Sequence, residues 1–275
     1  MSSTDKPTDQ RTPQISDRVI NTIETGHVRE QVFSRPGLLR EFSPKFDAAT
    51  REALSEAAAK HATEVHIFGC GDSHHAGLTT RMAFLHWAGL HTEAHTALDF
   101  SRYTAPWLRV NKPAAPLAIG ISISGEVVRT VEGMSLAREA GAYTLGITCR
   151  AESRLTKLAD AFVNIETPMM DAPRIRTYLA SQIALYMAAL RLGEVRGTLT
   201  AKQAQAIRDG FQKAADVGEA THPAISETVR DLAGQVKDKQ VFIFVGSGPN
   251  YGTANFGAAK ILETAGSIVQ PQDTE

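Results

Sequence analysis

Two short stretches bring together side chains able to do chemistry. In "FGCGDSHHAG", residues 68–77, Gly69 and Gly71 follow an apolar run, and Ser73, His74 and His75 open a helix-like segment. In "ISISGEVVRT", residues 121–130, an isoleucine-rich run ends in Ser122, Ser124, Gly125 and Glu126, with Thr130 one helical turn further on. A glycine turn lets backbone approach an anion, and the helix that follows offers unpaired N–H groups and a positive partial charge. Alternate serines add hydroxyls, so each turn suits a compact tetrahedral anion such as a phosphate. Without a ligand the same residues read as capped turns, Ser73 as an N-cap and Glu126 favoured by the helix dipole.

Nucleotide signatures fail on spacing. A dinucleotide turn needs a third glycine three positions after the second, whereas Gly77 lies six beyond Gly71, and no lysine follows the glycines as a P-loop requires. Two arginines, Arg174 and Arg176, sit near the start of a later helical stretch, where positive charge is unfavourable unless an anion offsets it; a solvated face is the other reading. His66 and His95 alternate with apolar strand neighbours and read as structural. His74 and His75 are adjacent in sequence and poorly placed to share one ion. No metal and no cofactor is expected.

The elements that must position these turns follow from periodicity. Strands at 64–69, 91–95, 116–121, 142–147 and 161–165 alternate with helices at 47–61, 74–88 and 126–140. That order predicts an α/β fold, a parallel-sheet three-layer sandwich with helices on both faces. Residues 1–14 read as a disordered tail, 15–43 as a helical lead-in, 44–172 as the first α/β unit and 173–238 as connector helices. Thr200 is the expected cap of one of those helices. Ile183, Tyr186, Met187 and Leu190 mark a buried face on the first connector helix. At 239–275 a buried strand, "QVFIFVGSG", begins what reads as a second similar unit. Gly69, Gly71 and Gly89 recur as Gly246, Gly248 and Gly266, each 177 positions on. This second copy reads as cut short, and a strand and helix alone cannot bury a core, so it must pack on the first unit.

Bulk properties narrow the function classes. The chain of 275 residues is 43% hydrophobic with formal net charge −1, so neither nucleic acid nor an anionic membrane surface is an expected partner. No apolar run approaches the roughly 20 residues that span a bilayer. Cys70 and Cys149 lie far apart and read as small buried residues of a cytoplasmic protein.

"GCGDSHHAG", "SISGEVVRT" and "GAYTLGI" together resemble the SIS (sugar isomerase) domain family, whose members commonly carry two such domains in tandem. The resemblance extends over roughly residues 28–275. It implies a phosphosugar isomerase or deglycase acting on a phosphorylated amino or keto sugar, or a non-catalytic sugar-phosphate-binding module. Carried over by position, Gly71, Ser73 and His75 would contact the sugar. Ser122 and Ser124, with backbone groups through Gly125 and Glu126, would hold the phosphate, with Thr130 or Arg129 compensating for Val127, which stands where the family has threonine. Arg174 and Arg176 would add positive charge. The family's proton-moving glutamate follows the second unit's second strand, which points to Glu275 as the catalytic base. The resemblance also implies a homodimer, for which the apolar helix at 174–194 is the expected seam.

Overall fold

The computed structural model describes residues 25–168 and 172–275. The expected tail at 1–14 and the first part of the lead-in lie outside the described residues. The described chain opens with α1 (Thr25–Phe33), α2 (Arg35–Ala53) and α3 (Glu56–His61). Then β1 (Ala62–Gly69), α4 (Asp72–Ala88), β2 (Thr92–Thr96) and, after short helical turns at 97–107, β3 (Ala115–Ile121) build the sheet. It continues through α5 (Val128–Glu139), β4 (Tyr143–Thr148), α6 (Arg154–Leu158) and β5 (Ala161–Asn164). All pairings are parallel, in the order β2-β1-β3-β4-β5. The chain leaves β1 for one edge and returns to β3 on its other side, so β1 and β3 flank the switch point where ligands of open α/β sheets bind.

The three layers are visible in the alternation of side chains. Val65 and Ile67 of β1 and Leu117, Ile119 and Ile121 of β3 join one buried cluster with helices α2, α4 and the later α7 (Ile175–Arg196). The intervening Phe68 and Ala118 join a second cluster with Val131, Met134 and Ala137 of α5. Phe68 stacks on Phe100 with ring centroids 4.0 Å apart, a pairing that adds ~1 kcal/mol beyond area burial. Gly120 keeps these layers close: an added Cβ would meet Met134 Cε and the Phe68 ring.

Several boundaries differ from the sequence expectation. Helix α2 runs unbroken through Pro44, so no boundary falls at residue 44. Helix α7 does not connect two units; it is core. Ala180, Ile183, Ala184, Leu185, Met187, Ala188, Ala189, Leu190 and Leu192 are all buried. Small alanines between large side chains let α4 and α2 approach closely, and over residues 175–190 only the stripe of Leu179, Gln182 and Tyr186 stays partly exposed, lining an apolar groove with Trp87 and Phe211. Two further expected helices are one, α8 (Ala201–Val236), capped by Thr200 with Gln203 in a capping box and continuous through Pro223. Its first half is tied to the body by Arg208 on Asp47 (2.8 Å) and Glu194 (2.9 Å).

The last segment is β6 (Val241–Val245), α9 (Pro249–Ala265) and β7 (Ile268–Gln272). The strand expected to be buried is not: β6 pairs only with β7, leaving Val241, Ile243 and Val245 exposed. A two-stranded sheet has one helix to cover one face. That helix packs on α4 at Gly252, where an added Cβ would overlap Thr79, and turns Gly257 to Phe244 of β6. Phe256 stacks flat on Tyr178 at 3.7 Å. The two glycine turns share one geometry, Gly71 at φ 54°, ψ −124° and Gly248 at φ 54°, ψ −130°, each capping a helix of 17 residues.

Candidate functional site

A cavity of about 190 Å³ opens over the carboxyl ends of β1 and β3. From the first turn it takes Cys70, Asp72 and Ser73; from the second, Ile121 to Ser124 and Val127. The start of α7 contributes Arg174, Thr177, Tyr178 and Ser181, and α9 contributes Glu263.

The serine turn is held from behind. Ser122 N–H donates to Ile147 O (3.0 Å), Cys149 N–H to Ile123 O (3.1 Å) and Leu155 N–H to Gly125 O (3.0 Å), so β4 and α6 fix its path. Gly125 is required there: its φ is +68°, and a Cβ would overlap Ser153, the cap of α6. Within the turn the Ser124 hydroxyl accepts from Glu126 N–H at 3.2 Å. Arg174 stands in the left-handed region at φ 59°, ψ 41°, sparsely populated for a residue with a side chain, at the N-terminus of α7. Strained backbone of this kind persists where the surroundings over-determine it, often beside a ligand.

Acids and a lysine close the cavity's rim. Lys260 of α9 is mostly buried and reaches Asp72 Oδ2 (2.7 Å), Glu263 Oε2 (2.6 Å) and the Pro173 carbonyl (3.0 Å). One ammonium thereby joins the first turn, the approach to α7 and α9. Burial pushes the Tyr178 phenol up to about 12, and its hydroxyl lies 2.9 Å from Thr79 Oγ1, so it enters the site as a neutral group.

Of the residues singled out from sequence, Ser73, Ser122, Ser124 and Arg174 line one cavity, with Gly71 and Gly125 shaping its two turns. Glu126 keeps its backbone N–H in the serine turn, donating to Ser124 Oγ, while its carboxylate turns to Arg154 (2.7 Å), whose backbone N–H and guanidinium hold it below the usual carboxylate range. The others are elsewhere. Thr130 is buried on α5 and does not reach the cavity. His75 lies outside the lining, its Nδ1 3.8 Å from Asp72 Oδ1. Arg176 is buried and donates to Ser34 Oγ (2.6 Å) at the α1–α2 junction, so it ties helices rather than binding an anion. Glu275 is exposed at the end of the chain and lines nothing. Cys70 is exposed at the cavity, against the expectation of burial, while Cys149 is buried, its thiol pushed up to about 12 by burial.

Four residues escaped the sequence reading: Asp72, Tyr178, Lys260 and Glu263. A signal existed for the last two, since Gly252, Phe256, Lys260 and Glu263 recur at helical spacing on the face of α9 that meets α4 and α7.

The family model that matches residues 60–191 is the SIS domain. The SIS match ends inside α7, in keeping with that helix being core. The chain is 31% identical over 239 residues to the isomerizing glutamine–fructose-6-phosphate aminotransferase of Gloeobacter violaceus, covering 85% of this chain and 38% of that protein. The same enzyme of Corynebacterium diphtheriae is 26% identical, covering 86% and 38%. The chain therefore spans about two fifths of the length of these curated relatives. Among solved structures, the C-terminal domain of glucosamine-fructose-6-phosphate aminotransferase from Francisella tularensis superposes with TM-score 0.75 at 17% identity, covering 92% of this chain and 71% of that one. Glucosamine-6-phosphate deaminase from Thermotoga maritima gives TM-score 0.71 at 18% identity, covering 90% and 70%. The SIS fold is shared across this range of sequence. Among the described residues, no helix is long and apolar enough to cross a membrane.

Proposed function

We propose that the cavity over β1 and β3 binds a phosphorylated amino or keto sugar and moves a proton between two of its carbons, in the cytoplasm. The observation that carries this reading is that one space holds the serine turn, Arg174 and the carboxylate of Glu263. Ser122, Ser124 and the Arg174 guanidinium would take the phosphate, with charge-assisted hydrogen bonds from Arg174. The hydroxyls of Ser73 and Tyr178 would face the sugar. Aldose–ketose isomerisation removes a proton from the carbon next to the carbonyl and returns it to the former carbonyl carbon, the hydroxyl proton shifting to the new alcohol. Glu263, which lines the cavity, would do that task in place of Glu275. Asp72, the other carboxylate at the cavity, would position Lys260 against it.

Thermal-shift titration with fructose 6-phosphate and glucosamine 6-phosphate tests the binding half. Wild type should be stabilised, and Ser122→Ala/Ser124→Ala should need at least about 10-fold more ligand, as for the loss of two hydrogen bonds to a charged group. Equal shifts in both proteins would remove the phosphate from this turn. Turnover tests the chemical half: stabilisation of wild type with no interconversion of ketose and aldose phosphate would leave the second reading, a binding module.

A homodimer would have a second apolar face besides the groove beside α7. Ile225, Val229 and Leu232 of α8 are exposed and apolar. Sedimentation should give a dimer that Leu232→Glu dissociates; a monomeric wild type at micromolar concentration would overturn the dimer.

A further inference from the structure

We propose that His66, His95 and Glu93 form a binding site for a divalent first-row transition ion, with zinc the best match to its ligands, on the opposite side of β1 from the α4 layer. The sheet itself brings these groups together. In the parallel pairing of β1 and β2, His66 stands opposite Glu93 and Phe68 opposite His95, so all three ligand side chains rise from one face on adjacent rungs. One ligand atom from each lies within 4.8 Å of the other two.

Protons within the cluster are too few for its acceptors. His66 Nδ1 and His95 Nε2 are 3.1 Å apart and share one hydrogen bond. Glu93 Oε2 lies 3.3 Å from the same His95 Nε2, and His66 Nε2 is buried with no hydrogen bond of its own. Two imidazole nitrogens and a carboxylate oxygen thus converge on one region with a single N–H between them. Two zinc–nitrogen bonds of about 2.0–2.1 Å at a tetrahedral angle would set their nitrogens about 3.3–3.4 Å apart, close to the spacing the strands already impose. Imidazole nitrogen and carboxylate oxygen are zinc ligands, and three protein ligands leave a fourth position for water. Glu64 Oε1, 3.3 Å from the far nitrogen of His66, is placed to orient that ring once its near nitrogen is engaged. None of these residues lines the sugar-phosphate cavity, so the site is separate from the proposed chemistry. An ion here would staple β2, the short edge strand, to β1.

The test uses untagged full chain dialysed against chelator, then titrated with zinc chloride in competition with a chromophoric chelator. One zinc per chain is expected, with affinity lowered at least about 10-fold in both His95→Ala and Glu93→Gln and unchanged in His74→Ala. Cobalt loading should give a tetrahedral visible band that both variants lose. Glu93 is half exposed, so Glu93→Gln remains a folded test, checked by circular dichroism, even where His95→Ala loses structure. Absence of zinc uptake by wild type, or wild-type affinity in Glu93→Gln, would overturn the site and leave a His–His hydrogen bond.

Discussion

Glu263→Gln should lower kcat for sugar-phosphate isomerisation by about 10²- to 10⁴-fold while leaving KM within about twofold. The amide keeps the size and can still accept a hydrogen bond from Lys260, 2.6 Å from Glu263 Oε2, but loses the negative charge and with it the ability to take a proton. A loss confined to kcat is what removal of a transition-state interaction produces, whereas disturbance of the phosphate cup would raise KM. Steady-state kinetics in both directions checks it, with Glu275→Gln beside it. That second variant should behave as wild type, because Glu275 is outside the cavity. Loss of turnover in Glu275→Gln, with Glu263→Gln unaffected, would instead make Glu275 the base.

Gly125→Ala should strongly destabilise the protein. The backbone there sits at φ +68°, costing a side-chain-bearing residue about 1–2 kcal/mol, and the added Cβ would occupy the space of Ser153. Relieving that overlap means shifting α6 or the serine turn, for about another 1–3 kcal/mol. Together these should lower Tm by about 5–15 °C for a domain of this size, read by calorimetry. The same shift should abolish ligand-induced stabilisation, since Ser122 and Ser124 ride on this turn. An unchanged Tm would mean that the turn is not pinned against α6. Gly71→Ala makes the instructive comparison: φ is +54° there, but nothing lies within 4 Å of the new Cβ, so only the conformational cost applies.

Much of the fold was legible because it is written in local pattern. Period-two runs such as "APLAIGI" mark strands, and glycine turns mark where strands give way to helices. Both turns of the cavity were found that way, and Arg174 was noted from its odd charge at a helix start. Three residues outside the cavity share a cause. His75, Thr130 and Arg176 each lie within a few positions of a lining residue, but a helix rotates about 100° per residue, and neighbours in sequence face different ways. Helix α7 reads as a connector in the sequence because its alanines carry little weight in an apolar pattern, although they are what permits close packing.

By itself, the sequence determined the α/β order, the two anion-suited turns and their match to the SIS family, because these depend on interactions within a few residues. Tertiary structure decided that Glu263 lines the same cavity as the serines. This acid arrives from 137 positions beyond Glu126 because Gly252 lets α9 lie against α4, and Phe256 seats on Tyr178. It likewise brought Glu93 and His95 beside His66, through a strand register that no spacing within either strand encodes. Contacts of that range are set by how whole surfaces fit once folded.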